Sequence, residues 1–232
     1  MRPFISFILI LVFVAATFCL PLAAMAVDPL VFGLTLGLTG KYDKVSAIQE
    51  QGYQLWVRDV NQRGGILGRP VQLKFFDDQN DPQVAIGHYR QFAEQDRVDF
   101  LLAPFSSDIT EAILPIARQH GYSIIAAGAA ADRLWQQGYT NVFGLFTPAS
   151  RIPASFLEMA VMHDPQTMAV VYCDDPFGRD IGTGTVKWSR RFGLTTVLEQ
   201  KVGKNSLVTQ ARNGTIEVVW PQSLKTAEPV FE

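Results

Sequence analysis

From Pro29 onward, short apolar runs of strand length alternate with segments of helical periodicity, and no other feature narrows the possible folds as much. "LVFGLTLG" is followed by residues 46–61, in which Ile48, Gly52, Leu55, Trp56 and Val60 recur at helical spacing. "VQLKFFDD" leads to a helix whose cap is Asp81, with Pro82 at the first helical position, where a missing N–H costs nothing. "VDFLLAP" leads to "SDITEAILPIARQH", and "YSIIAAG" makes a fourth strand. Strands separated by helices are parallel strands joined by right-handed crossovers. The near-continuous apolar runs "VDFLL" and "YSIIAA" read as strands buried on both faces.

The joint "NQRGGILGRP" shows how tightly these elements are connected. Gly64 and Gly65 supply the left-handed backbone that ends a helix, and Pro70 suits the first position of a strand, where no ladder N–H is required. "NVFGLF" is strand-like, a helical stretch covers about residues 150–162, and "TMAVVYCDD" is a buried strand. "FGRDIGTGTVKWSRRFG" is its crossover helix and "LTTVLEQKV" the next strand. The alternation therefore restarts after about residue 147, as in a second α/β lobe. The expected organisation is a first lobe at 27–147, a partial second lobe at 148–204, and a hairpin and tail at 205–232. The hairpin turns at Asn213-Gly214.

Residues 1–26 read as a secretory signal rather than part of the fold. One positive charge at Arg2 precedes the apolar run "FISFILILVFVAATFCL", and "AMA" offers small residues for cleavage before Val27. The competing reading of that run is a membrane anchor. With Cys19 in this leader, Cys173 is left without an intrachain disulfide partner. The net charge of −2 gives no reason to expect nucleic acid, and His88, His120 and His163 lack the spacing of metal ligands. Neither a metal nor a cofactor is expected.

Open parallel sheets bind ligands beyond the carboxyl ends of their strands. Here those ends run into "GLTGKYDK" with Tyr42, "DDQNDP", "APFSSD" and "AAGAAAD". Ser106 and Ser107 follow a strand and open a helix, so hydroxyls and backbone N–H groups converge where a carboxylate is well held. Gly128, Ala129 and Ala130 let a ligand approach the backbone closely. The plainer alternative is that Ser107 or Asp108 merely caps the helix. Ser106 as a catalytic nucleophile has no Gly-x-Ser-x-Gly elbow and no evident histidine. "GRDIGTGT" fits neither dinucleotide nor P-loop spacing. Asp77, Asp78 and Asp81 are better explained by a strand end and a helix cap than by a metal.

The order of these segments resembles a known family. The leader, "VFGLTLGLTGKY", "DVNQRGGILGRPVQLKFFDDQNDP", "APFSSDITEAILPIA", "YSIIAAGAAADRLW" and "VVYCDDPFGRD" look like a periplasmic amino-acid-binding protein. That family is the solute-binding component of ABC importers for branched-chain amino acids and related amides. The resemblance implies a type I periplasmic-binding fold of two doubly wound parallel-sheet lobes that closes on its ligand by a hinge. It implies a ligand carboxylate held by Ser106 or Ser107 with Gly128, Ala129 and Ala130, and places Tyr42 and Phe177 among the ligand contacts. The ligand would be an amino acid or small amide, the partner a membrane permease of an ABC transporter, and the location periplasmic, with no catalysis.

Two departures bear on the ligand: Ala130 stands where branched-chain binders usually carry threonine, and Phe177 where they carry tyrosine. A larger departure concerns length. After residue 147 too little chain remains for a full second lobe, and "NSLVTQARNGTIEVVWPQSLKTAEPVFE" itself resembles the family's C-terminus. The expectation is an incomplete second lobe, through an internal deletion near residues 201–205. Alternative readings are a ligand sensor serving a regulator, a remnant without binding function, and a hydrolase using Ser106.

Overall fold

The computed structural model describes residues 27–203 and, as backbone, residues 207–212 and 215–219. The expected leader, residues 204–205 of the expected 201–205 junction, the turn at 213–214 and the tail from residue 220 lie outside the described residues.

A five-stranded parallel sheet organises the first part of the chain. β1 (Leu30–Leu36) is flanked by β2 (Val71–Asp77) and β3 (Phe100–Leu102), and β4 (Ile124–Ala126) and β5 (Val142–Gly144) follow, in the order β2-β1-β3-β4-β5. The strand order reverses at β1, so the loops after β1 and β3 part there and leave a crevice. Helix α1 (Asp43–Gln62) packs on one face, over Leu34, Leu36 and Val71, through Tyr53, Trp56, Val57 and Val60. On the other face α2 (Pro82–Gln91), α3 (Ser107–Gln119) and the short α4 (Arg133–Gln136) bury Tyr89, Phe92, Leu101, Ile113, Ile124 and Leu134. Each such side chain withdrawn from water contributes about 1.5–3 kcal/mol.

The expectation of strands buried on both faces fails for β3 and β4, and the neighbouring β5 is open as well. Phe100 is 41% exposed, Ile125 39%, Phe143 54% and Leu145 70%. The cause is geometric. A helix about 10 Å wide covers roughly two strands spaced about 4.8 Å apart. On the α1 face α1 is occupied with β1 and β2, and no other described helix shields the paired residues Ile125 and Phe143.

The glycine-rich joint behaves as its residues demand. Gly64 and Gly65 have φ of 94° and 81°, and a Cβ on Gly65 would run into the Arg69 backbone. Asn61, at the end of α1, accepts from Val71 N–H at 2.7 Å and donates to Val71 C=O at 2.9 Å. Its side-chain amide thus clamps the first residue of β2. Pro70 has no N–H to offer the sheet, and its carbonyl accepts from Leu30 N–H at 2.7 Å. Helix α1 begins at Asp43, three residues earlier than the apolar periodicity indicates.

A second α/β unit follows. A 3₁₀ turn (Ala149–Arg151) and α5 (Pro153–Ala160) lead into β6 (Thr167–Cys173), α6 (Pro176–Arg191) and β7 (Thr195–Val202), with β6 and β7 parallel. Strands β8 (Leu207–Arg212) and β9 (Thr215–Val219) pair antiparallel in a sheet of their own. The "GRDIGTGT" glycines sit inside α6 and serve close packing: a Cβ would strike the Cys173 backbone at Gly178, the Tyr172 ring at Gly182 and the Ser150 backbone at Gly184. Helix α6 is thereby pressed against β6 and the 3₁₀ turn, and polar bonds tie it to the first lobe. Asp132 N–H donates to Asp180 Oδ2 at 2.8 Å, and the Ser150 N–H and hydroxyl donate to the Asp132 carboxylate at 2.9 and 2.5 Å. Trp188 Nε1 donates to Ser150 C=O at 3.0 Å. Burial pushes the Asp180 carboxyl above its usual range, and the nearby Asp132 charge adds to the effect.

Candidate functional site

A cavity of about 300 Å³ opens where the carboxyl ends of β1, β3 and β4 meet the start of α6, at the lower end of the usual ~300–1,000 Å³ for small-molecule sites. Each wall has a local cause. The loop after β1 is held by the acidic end of β2: Asp77 accepts from Leu38 N–H at 2.9 Å and from the Thr39 hydroxyl at 2.6 Å. Burial raises the Asp77 carboxyl, but the hydrogen bonds from Thr39, Gln79 and Leu38 outweigh it and hold the group below its usual range. Asn80 Oδ1 then accepts from Tyr42 N–H at 3.1 Å, which places Tyr42 at the cavity. Asp78 is fully buried, accepts from the Thr35 hydroxyl at 2.7 Å, and is pushed upward by that burial. Asp81 caps α2 through Gln83 N–H at 2.7 Å. All three carboxylates of the "DDQND" run therefore shape the fold.

The two serines have different tasks. Ser107 is 4% exposed, and its Oγ accepts from Ala130 N–H at 3.1 Å and Ala131 N–H at 3.0 Å. That hydroxyl ties the loop after β4 to the start of α3. With both acceptor positions filled, its one proton is left to donate, and the two N–H donors polarise it. Ser106 takes φ 82° and ψ 150°, a backbone state that side chains rarely adopt. Its hydroxyl donates to Asp108 and makes no capping bond to α3, whose first residues line the cavity. The plain capping alternative thus fails for Ser107, whose oxygen serves the β4 loop.

Tyr42, Ser106, Ser107, Gly128, Ala130 and Phe177 are brought together around this cavity. Ala129 is not at its surface: it is 1% exposed and packs into the core beneath. Among the described residues Phe105, Asp108, Phe146, Ile152, Asp175 and Pro176 also line it. Phe105 and Asp108 flank the serines and were within reach of the sequence pattern. Phe146 and Ile152 come from the passage between the lobes, which carries no motif. Asp175 caps α6 by accepting from Gly178 N–H at 2.7 Å, so the N-termini of α3 and α6 meet across the cavity. Each contributes about half a positive charge. At α3 the N-cap residue Ser106 makes no capping bond, while Asp108 in the first turn accepts from Ile109 N–H at 3.1 Å.

The sequence profile of the family described as "Periplasmic binding protein" matches residues 29–221. A Leucine-, isoleucine-, valine-, threonine-, and alanine-binding protein of Pseudomonas aeruginosa is 22% identical over 205 residues, covering 85% of this chain and 54% of the relative. Among solved structures, an ABC transporter substrate-binding protein of Desulfitobacterium hafniense in complex with Leu superposes with a TM-score of 0.68 at 19% identity. That match covers 75% of this chain and 51% of the other. A solute-binding protein of R. palustris in complex with benzoate superposes at 0.68 and 21% identity, covering 76% and 49%. The chain spans about half the length of the curated relatives it matches.

Proposed function

The chain belongs to the periplasmic binding protein family, and from that premise we propose that it is an extracytoplasmic receptor which captures an amino acid or small amide and delivers it to the membrane permease of an ABC transporter. Its fold is the type I periplasmic-binding fold with the second lobe incomplete. The observation that carries the reading is the Ser107 bridge. One buried hydroxyl joins the N-terminus of α3 to the loop after β4, and its remaining proton is available to a carboxylate at the cavity. Leucine and benzoate, held by two of the structural relatives, share only a carboxylate as a polar group. Charge-assisted bonds to N–H and O–H donors are the natural way to hold one. Secretion by a cleaved leader places the receptor in the periplasm. No step of bond making or breaking belongs to this function.

The half-length of the chain favours one second reading, a folded protein whose shortened second lobe no longer closes on ligand. Thermal unfolding of residues 27–232 with and without a panel of amino acids and amides separates the two. A ligand at a hundred times its Kd adds about 2.7 kcal/mol to stability, so a rise in Tm with one ligand class is the expected result. A cooperative melt that no member of the panel shifts refutes the receptor reading and supports the second.

A further inference from the structure

We infer that the open side of the first lobe is a self-association surface: a second copy of this chain docks its α1 against α1 about a two-fold axis near Gly52, and the exposed residues of β4 and β5 close the flank.

Helix α1 carries more apolar surface than one face of the sheet uses. Tyr53, Trp56, Val57 and Val60 pack on the sheet. Val45, Ile48 and Leu55 do not, and they are 46%, 68% and 60% exposed. With Gly52 they stand at positions 45, 48, 52 and 55, the alternating steps of three and four residues that make a seam for another helix. Glycine is the poorest helix former after proline, and Gly52 sits in the middle of α1 (Asp43–Gln62). The glycines of α6 each make room for a neighbour, but Gly52 is exposed and no described atom lies within 4 Å of a Cβ built on it. Its missing side chain serves an approach from outside the lobe, where it lets a second backbone come close. A glycine at the midpoint of the helix is also where two antiparallel copies of α1 cross if they are related by a two-fold axis.

The same side of the sheet extends that surface. A recess of about 450 Å³ lies beside α1, lined by Phe32, Gly52, Trp56, Ile125 and Leu145 among others. Leu145 at its edge is 70% exposed, and Phe143, paired with Ile125, is 54% exposed. Phe100 stacks on Phe32 with centroids 4.9 Å apart and stays partly in water. One face thus holds both projections and a hollow. A two-fold contact requires that combination, because a side chain entering the partner's hollow is matched by its own copy entering in return. The exposed parts of Val45, Ile48, Leu55, Phe143, Leu145 and their neighbours Phe100 and Ile125 amount to on the order of 600 Å², the upper end of what a monomer leaves in one patch. At the ~65% apolar share of homodimer interfaces, that area supplies the ~800 Å² per partner of a stable complex. A small molecule in the recess leaves Val45, Ile48 and Leu55 in water, whereas a second α1 covers them.

Sedimentation velocity of residues 27–232 across the micromolar range tests the assignment. The expected result is a reversible monomer–dimer equilibrium with no larger species. Gly52→Glu puts at the axis a side chain for which the isolated lobe has room, and Leu145→Gln removes an exposed apolar contact. Each is expected to keep the parent's circular dichroism spectrum and to weaken the dimer about tenfold or more. Met162→Gln, at an exposed position of the second unit, is expected to leave the dimer unchanged. A monomer at every concentration overturns the inference. If removing residues 220–232 then produces the dimer, the chain's own tail covers the face instead. If the monomer takes up anilinonaphthalene sulfonate and Gly52→Glu abolishes the uptake, the recess belongs to a small apolar ligand. Open-ended aggregates overturn the inference as well, as does a dimer that Gly52→Glu and Leu145→Gln leave at full strength.

Discussion

Replacing Ser107 with alanine removes one oxygen atom and is expected to destabilise the protein far more than a surface serine would. The Ser107 Oγ is the acceptor for two backbone donors, Ala130 N–H at 3.1 Å and Ala131 N–H at 3.0 Å. Those two residues are 5% and 0% exposed, so water does not freely replace the lost acceptor. Each buried donor left unsatisfied costs about 1–3 kcal/mol, and the pair costs about 2–4 kcal/mol once the loop relaxes toward whatever partner it can find. For a chain of this size about 1 kcal/mol moves Tm by roughly 2–4 °C, so Ser107→Ala should melt roughly 4–16 °C below the parent. Urea unfolding of both proteins, compared by midpoint at equal m-value, gives the difference directly. In the same variant hydrogen exchange at Ala130 and Ala131 should accelerate. A Tm within 1 °C of the parent, with unchanged protection at those amides, would refute the bridge as the element that joins the two loops.

Four further outcomes follow from particular contacts. Ser106→Gly should melt no lower than the parent because it relieves a positive-φ backbone, whereas Ser106→Val should lose about 1–3 kcal/mol in a thermal scan. Asn61→Ala should cost about 1–3 kcal/mol by freeing both polar groups of Val71 from their clamp, measured by urea titration. Gly184→Ala drives a Cβ into the Ser150 backbone; it should cost about 1–3 kcal/mol and speed proteolysis between residues 148 and 166, where a small gain in helix propensity would predict the opposite. Asp77 has a folded pKa below its unfolded value, so its contribution is present above about pH 3.9 and is lost as pH falls through the lowered pKa. Asp77→Asn should therefore show a flatter stability profile than the parent in that acid window, and parallel profiles would sink the assignment.

Much of the fold was legible because its signals are local. The cap at Asp81, Pro82 at the first helical position and the positive-φ glycines at 64 and 65 depend on the φ, ψ and hydrogen bonds of a few neighbouring residues, and the structure places them as the residue types require. The serine loop and the loop after β4 were legible as strand ends, and both reach the cavity. The division of labour between Ser106 and Ser107 was not, because it depends on an amide more than twenty positions away along the chain. Ala129 differs from its neighbours Gly128 and Ala130 only in the direction it faces, which composition does not encode. The glycines of "GRDIGTGT" carried no recognisable motif, since their purpose lies in the Tyr172 ring, the Cys173 backbone and Ser150.

By itself the sequence determined the kind of layer this chain builds: parallel strands with helical crossovers, tight joints, and ligand loops at the carboxyl ends. Those follow from hydrophobic period and backbone preference, which act over a handful of residues. Only the tertiary structure decided the strand order β2-β1-β3-β4-β5, the docking of α6 on Ser150 and Asp132, and the meeting of Tyr42, Phe146 and Phe177 in one cleft. It also decided that Ile125 stays exposed, although its apolar run reads as buried. Whether an apolar residue is covered depends on how many helices reach its face of the sheet, and that is a property of the assembled layers rather than of any run of residues.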